Sequence, residues 1–479
     1  MSDGFKTKMV GAFAWSSLDR LGQQVVQLIF GIVLARLLLP SEVGLIAVLM
    51  IFVSLSSVLI DGGFGQALIR KQNVTQTDYN TVFVVNLGIS LVLYFILFFA
   101  APAIATFFKQ PALTKISRIL FISTIFFGLY FIHYTQLIKQ LNYRSYAIIN
   151  ISSFLFSGSV AIILALLGYG VWALVAQQIG FHLIRLFIFP FFVKWWPTFT
   201  FSFEIIKEVW SFSFKLLGTN ILNVVFNQLY TVLLGRFFTL QQVGFYFQAN
   251  KLSETVNGTT QQVIQNATFP LFSKIQDEDA RLLRIYRQLT KSISLIVFPL
   301  SGFVLAASYP LIITLLSEKW RPTVELFQLL ILANVFTPLY LLNISILNSR
   351  GESNRTFRLE IFKKVLILIS IVSCFSLGIY IMLVGFVAAS FIAFIFSFIQ
   401  IKKSLKHALK FQVLDILPFL FFGIGLGFSV NLLNIIEINY LLKLMAQSLS
   451  AAVLFIGITR LVFHDEFNKI IELIFTKQK

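Results

Sequence analysis

Apolar stretches about as long as a membrane is thick recur along this chain, each closed by a short polar loop, and no other feature limits its fold so tightly. A helix needs about 20 residues to cross the hydrocarbon core. By that measure, spans fall near 9–38, 43–69, 79–106, 116–137, 146–168, 171–193, 208–235, 243–271, 289–316, 325–348, 360–382, 384–401, 413–435 and 440–462. The stretches 146–193 and 360–401 are too long for one crossing. Gly168-Tyr169-Gly170 breaks the first and a turn near Gly385 breaks the second, so each reads as a hairpin. Apolar residues make up 57% of the chain and charged residues 12%, against roughly 25% charged in soluble domains. Too few polar side chains remain to clothe a water-facing surface. The expected fold is all-α, a polytopic membrane bundle of about fourteen helices. The first apolar stretch begins after Lys8 and outruns the core of a leader peptide, so it is expected to stay as the first helix.

The net charge of +18 would suit a nucleic-acid surface if the basic residues were gathered on a polar domain. Here they occupy loops between apolar runs, the pattern that sets membrane orientation, and no nucleic-acid partner is expected. With Lys6 and Lys8 placed inside, most of the 38 Lys and Arg fall in inner loops, among them Arg70, Lys71, Lys139, Arg281, Arg284, Arg287, Arg350, Lys402 and Lys403. Arg36, Lys109, Arg236 and Lys319 are among the few outside. The bias holds from end to end. It predicts an even number of spans, both termini in the cytoplasm and a multi-pass membrane protein. In the longest polar loop, about 272–290, Arg281, Arg284 and Arg287 share one face of a short cytoplasmic helix, and Asp277-Glu278-Asp279 read as a solvated face. Trp195 to Val209 read as an interfacial linker.

The chain also repeats. A shift of 200 residues carries Leu34-Ala35-Arg36 and Val43-Gly44 onto Leu234-Gly235-Arg236 and Val243-Gly244. It carries Arg20, Gln23 and Gln27 onto Asn220, Asn223 and Asn227, whose spacings of three and four keep them on one helical face. A shift of 213 aligns Val171 and Ala176 with Val384 and Ala389 at the two hairpins. The halves start on the same side, so the repeat is parallel. It predicts an N-terminal lobe of six helices at 1–200, a C-terminal lobe of six at 201–403, and two additional helices with a cytoplasmic tail at 404–479. In transporters built from repeats, the substrate path lies between them.

A charge at the bilayer centre costs about 2.5–3.5 kcal/mol on insertion scales, so such residues usually face a cavity or a partner. Arg20, Arg185, Lys215 and Lys251 are the cationic cavity candidates; Gln23, Gln27, Asn220, Asn223, Asn227 and Gln262 are their polar companions. Asp19, Asp61 and Glu254 are the carboxylates available for ion coupling. Each has a structural alternative. Arg185 and Lys215 lie near helix ends and can snorkel, Asp61 precedes Gly62-Gly63 near the inner surface, and Lys251 can pair with Glu254. The helix around 243–271 is the most polar span, with Gln248, Lys251, Glu254 or Thr255, Gly258, Gln262 and Gln265 at helical spacing, so the second half is expected to hold more of the substrate contacts. Cys374, the one cysteine, excludes an internal disulfide and reads as packing. His133, His182, His407 and His464 show no metal spacing, and no GxxxxGK[ST] loop is present. No cofactor and no catalytic domain are expected.

The stretch Leu34-Ala35-Arg36-Leu37-Leu38-Leu39-Pro40-Ser41-Glu42-Val43-Gly44 resembles the first hairpin of polysaccharide transporters in the multidrug/oligosaccharidyl-lipid/polysaccharide exporter superfamily. So do Asn348-Ser349-Arg350-Gly351 and Arg358-Leu359-Glu360-Ile361-Phe362-Lys363-Lys364-Val365. The whole is similar to the Wzx-type flippase branch, near the lipopolysaccharide and teichuronic-acid translocases. The resemblance implies a secondary transporter and not an enzyme. Its two lobes open alternately, and its cargo is an oligosaccharide on undecaprenyl pyrophosphate. Membrane lipids and polysaccharide assembly proteins are the implied partners. Cations suit the pyrophosphate, and amides suit sugar hydroxyls. The alternatives are a multidrug/cation antiporter of the same fold, a peptidoglycan lipid-precursor flippase, and a membrane glycan polymerase or ligase; the last expects a large outer loop.

Overall fold

The computed structural model describes residues 3–198, 200–405, 409–464 and 466–467. Among these the regular structure is helical and no strand occurs. The helices are α1 (Asp3–Leu37), α2 (Pro40–Asp61), α3 (Phe64–Arg70), α4 (Gln76–Phe107), α5 (Ala112–Leu120), α6 (Ile122–Lys139), α7 (Tyr143–Leu166), α8 (Val171–Phe192), α9 (Phe203–Phe237), α10 (Leu240–Lys274), α11 (Asp279–Leu316), α12 (Thr323–Asn334), α13 (Thr337–Ser349), α14 (Ser353–Cys374), α15 (Ile379–Leu405), α16 (Leu409–Leu432) and α17 (Tyr440–Leu461).

Among the described residues, eleven helical stretches are long and apolar enough to cross a membrane. Outside that set, α1 has a described apolar stretch at Leu21–Leu37, and α10 and α14 are more polar. The broken spans have local causes. Gly62 (φ 55°) and Gly63 (φ 79°) adopt left-handed backbone between α2 and α3, a conformation that favours glycine. The polar loop expected at 272–290 is shorter in the structure. Only Ile275–Glu278 separates α10 from α11, so Arg281, Arg284 and Arg287 belong to the first turns of a helix that continues into the apolar span. The acidic trio is partly paired: Glu278 with Arg281 at 3.1 Å and Asp279 with Arg350 at 2.8 Å.

The helix faces are inverted relative to a soluble protein. On α4 the exposed stripe is Val92, Phe95, Ile96 and Phe99, while Asn80, Thr81, Asn86 and Ser90 are fully buried. On α7 the exposed stripe includes Phe156 and Ile163, and Asn150, Ser153 and Ser157 are buried. An apolar outer stripe is stable only against lipid, where backbone polar groups are satisfied within each helix.

The contacts divide the chain into two compact units, Met1–Phe247 and Gln248–Lys479, with the division inside α10. In the first unit α1 packs on α7, α7 on α8, α4 on α6 and α2 on α9. The connection from α8 to α9 is stitched down: Asn80 Nδ2 donates to Thr198 Oγ1 at 2.5 Å and Thr200 Oγ1 at 2.8 Å, and Ser202 N donates to Thr81 Oγ1 at 3.1 Å. Lys71 bridges Asp78 at 3.0 Å and Glu208 at 2.9 Å, joining the starts of α4 and α9. In the second unit α11 packs on α16, with Gly302 facing Gly423 and Gly427 so closely that a Cβ on Gly302 would lie 2.1 Å from the Gly423 carbonyl. Small residues allow such backbone approach between membrane helices. At one end of α11, Arg287 holds Asp415 through two bonds, at 2.7 and 2.9 Å.

The sequence repeat acquires a physical meaning within the first unit. A Cβ on Gly44 would meet Leu240 O at 2.0 Å, and one on Gly244 would meet Pro40 O at 1.9 Å. The two positions that the 200-residue shift pairs therefore touch each other reciprocally, as two copies of one motif related by a pseudo-two-fold axis would.

Candidate functional site

The densest buried polar cluster among the described residues forms in the first unit, where α1, α6, α7 and α8 bring together residues far apart in sequence. Asp19 is buried on α1, turned away from the exposed stripe Leu18, Leu21, Val25 and Ile29. Its Oδ1 accepts from Gln23 Nε2 at 2.7 Å and from Asn150 Nδ2 at 3.2 Å. The carbonyl oxygen of Asn150 accepts from Arg185 Nη2. One amide thus joins a carboxylate on α1 to a guanidinium on α8, donating to the first and accepting from the second.

Arg185 continues the chain of contacts. Its Nη1 donates to the Tyr130 hydroxyl at 3.3 Å, and that hydroxyl bonds His182 Nδ1 at 2.9 Å. His182 Nε2 lies 3.4 Å from Gln178 Nε2. The guanidinium also sits 4.1 Å from the centre of the Phe181 ring, an arrangement favoured by the negative face of an aromatic ring. Arg185 is only 9% exposed. Its described partners all lie within the bundle, so the snorkelling alternative does not describe this side chain. Carboxylate and guanidinium are both partnered, as burial of opposite charges requires.

The other expected residues are placed differently. The side chains of Arg20, Lys215, Gln262 and Gln265 lie outside those described. Gln27 is half-buried on α1; on α9, Asn220 is half-buried while Asn223 and Asn227 are exposed. Asp61 accepts from Gly65 N at 3.2 Å and so caps the first turn of α3. On α10, Lys251 is half-buried and Glu254 exposed; Glu254 accepts from Asn250 Nδ2 at 2.8 Å, not from Lys251. Of the expected residues, the structure therefore joins Asp19, Gln23 and Arg185. Asn150, Tyr130, His182 and Gln178 were missed. The signal that could have found the first is the small polar stripe Asn150, Ser153, Ser157 on an otherwise apolar α7.

An apolar groove of about 490 Å³ lies elsewhere in the first unit, between α2, α4 and α9, lined by residues such as Leu59, Val85, Ile89, Trp210 and Leu217. No group of three or more His, Cys, Asp or Glu that could hold a metal occurs among the described residues.

Fold and buried cluster together define a polytopic, all-helical membrane protein with ionisable groups held inside its bundle. Residues 33–325 match the polysaccharide biosynthesis protein family, and the chain belongs to that family. It is 27% identical to the succinoglycan biosynthesis transport protein ExoT of Rhizobium meliloti, over 69% of this chain and 67% of that one. It is 24% identical to the lipopolysaccharide biosynthesis protein WzxC of Escherichia coli, over 86% and 85%. The teichuronic acid biosynthesis protein TuaB of Bacillus subtilis is also 24% identical, over 74% and 73%. Among solved structures, the fold is that of the lipid II flippase MurJ in an inward closed conformation, with a TM-score of 0.75 at 15% identity, covering 94% of this chain and 99% of that one. An inward-facing multidrug resistance MATE family transporter matches with a TM-score of 0.61 at 16% identity, over 81% and 96%.

Proposed function

We propose that this protein is a flippase that moves an oligosaccharide linked to undecaprenyl pyrophosphate across the cytoplasmic membrane, by alternating access, for surface polysaccharide assembly. The observation that carries the reading is the family match over residues 33–325, together with relatives named for polysaccharide biosynthesis and its transport. In this reading the chain crosses the inner membrane fourteen times with both termini in the cytoplasm. The repeat lobes are 1–200 and 201–403, with 404–479 added. The protein carries its cargo and makes or breaks no covalent bond. Cations such as Arg20, Lys215 and Lys251 receive the pyrophosphate, while Gln23, Gln27, Asn220, Asn223, Asn227 and Gln262 receive sugar hydroxyls.

Asp19 is the preferred coupling group over Asp61 and Glu254. Among the described residues, it alone of the three is joined through a neighbour to a buried cation. A proton or cation arriving at Asp19 would compete with Asn150 for its oxygens, freeing that amide and with it Arg185. Two alternative packings of the first unit could then be biased by one ion, as coupling demands.

Deletion of the gene in its host tests the reading. The expected result is loss of a surface polysaccharide, with its lipid-linked oligosaccharide accumulating unflipped, restored by the wild-type gene. Unchanged polysaccharide with altered drug resistance would favour the antiporter reading. Arrest of cell-wall growth would favour a peptidoglycan-precursor flippase.

A further inference from the structure

The two units repeat one turn, and the cations beside that turn are partnered differently. Leu141 (φ 57°) joins α6 to α7, and Gly351 (φ 72°) joins α13 to α14. Asn142 N bonds Leu137 O at 3.0 Å, and Glu352 N bonds Leu347 O at 2.8 Å in the same pattern. Tyr130 and Tyr340 each stand eleven residues before the left-handed residue, and Asn150 and Glu360 each stand nine after it. Both tyrosines are buried.

In the first unit the cation at the tyrosine is Arg185, whose guanidinium is also engaged by Asn150 and Phe181. In the second unit the cation is Lys363, with Nζ 4.7 Å from the centre of the Tyr340 ring. The Tyr340 hydroxyl donates instead to Glu360 Oε1 at 3.0 Å. Among the described residues, Lys363 has no hydrogen bond to its ammonium and no ion pair. An ammonium carries three donors and is costly to leave half-buried without an acceptor. Nor does it belong to the lipid-facing stripe. That stripe on α14 is Phe357, Ile361, Val365 and Val372, each at least 44% exposed, and Lys363 projects about 200° around the helix from Ile361. The first twelve residues of α14 carry Arg355, Arg358, Lys363 and Lys364 against the single carboxylate Glu360.

We propose that Lys363, steadied by the Tyr340 ring, is a binding site in the second unit for the phosphate or pyrophosphate that links a glycan to its lipid. The proposal rests on the flippase reading above and supplies a residue of its substrate site. Glu360 acts on the ammonium through space, but with Oε1 tied to the tyrosine it makes no direct ion pair with it, which leaves the ammonium's donors for cargo.

The test uses the full-length protein in nanodiscs, with three probes: undecaprenyl pyrophosphate, undecaprenol and phosphatidylglycerol. Lys363→Ala is expected to weaken undecaprenyl pyrophosphate about tenfold, the effect of losing one charge-assisted bond. It should leave undecaprenol unchanged, and Lys363→Arg should retain most of the affinity. Tyr340→Phe keeps the ring but frees Glu360 to pair with Lys363, so it should also weaken the pyrophosphate probe. That second variant keeps the proposal exposed to test if Lys363→Ala does not fold. Wild-type affinity in Lys363→Ala, or in a folded Tyr340→Phe, would overturn the proposal. An equal loss for phosphatidylglycerol would make the site one for bulk lipid head groups and overturn the substrate assignment. A wild-type protein that does not prefer the pyrophosphate over undecaprenol would instead overturn the flippase reading itself.

Discussion

At the residue scale, Asn150 is the position on which two buried charges depend. Arg185→Ala would leave the amide and Asp19 in the bundle without their cation. Removing one partner of a buried charged pair typically costs about 3–5 kcal/mol, and a marked fall in the thermal unfolding temperature in detergent is expected. Arg185→Lys should recover only part of it, because the planar guanidinium both bonds Asn150 and lies over Phe181. A double-mutant cycle with Asn150→Ala should show strong coupling; additive losses would mean that the amide does not link the charges. Lys71 offers the contrast. Glu208, and then Asp78, hold its ammonium above the ordinary lysine range. A raised pKa stabilises the fold below the unfolded-state value and is lost as pH rises through the folded value. Thermal stability should therefore show no Lys71 contribution that varies between about pH 6 and 9. The bridge is partly exposed, so Lys71→Met should cost no more than about 1 kcal/mol. The two charges of the cluster were legible in the sequence because charge in an apolar run is conspicuous. Their connection was not, since 131 residues separate Asn150 from Asp19 and no periodicity reports a contact between helices.

At the element scale, the crossing of α2 with α10 makes the most specific demand on sequence. Gly44 and Gly244 each meet a carbonyl of the other helix at about the distance of a covalent neighbour once a Cβ is added. The two helices must separate to admit a methyl group, and overpacking of this kind costs about 1–3 kcal/mol. Gly44→Ala and Gly244→Ala should each lower the unfolding temperature. Gly88→Ala on α4, where a Cβ meets nothing within 4 Å, should leave it unchanged or raise it. If all three behave alike, the close approach is not what these glycines serve. The repeat that pairs Gly44 with Gly244 was visible in the sequence, but that the paired positions would touch was not. A parallel repeat specifies two similar elements; only their packing brings them face to face. Most helices were legible because hydropathy and length mark an apolar span, but the break expected near Gly385 falls instead at 375–378, where Gly378 takes φ 104°, and Gly385 lies inside α15. Their interruptions at Gly62-Gly63, and between α5 and α6, depend on local backbone geometry that hydropathy averages away.

At the scale of the whole molecule, orientation depends on three helices whose apolarity alone does not establish a crossing: α1, α10 and α14. Each omitted crossing would exchange inside and outside for everything downstream of it, and the excess of Lys and Arg on one side would then reverse partway along the chain. With fourteen crossings assigned the bias does not reverse, so the proposed topology has all three cross. Polar helices cross when their polar face is turned to protein, water or cargo, and α14 shows the division plainly, with Phe357, Ile361 and Val372 exposed while Leu359 and Ile371 are buried. The single cysteine makes this measurable. In a Cys374→Ser background, one cysteine is placed on each side of each helix: Asp3→Cys and Ser41→Cys for α1, Thr239→Cys and Asp277→Cys for α10, Asn354→Cys and Ser376→Cys for α14. A membrane-impermeant maleimide added to the outer face should label positions 41, 239 and 376, and should reach 3, 277 and 354 only after permeabilisation. A pair whose two members label from the same side would remove that helix from the membrane. Loss of one crossing would turn every later inner loop outward. Two losses would restore the far end and leave only the segment between them inverted, so the pattern of labels identifies which helix fails and not merely that one does.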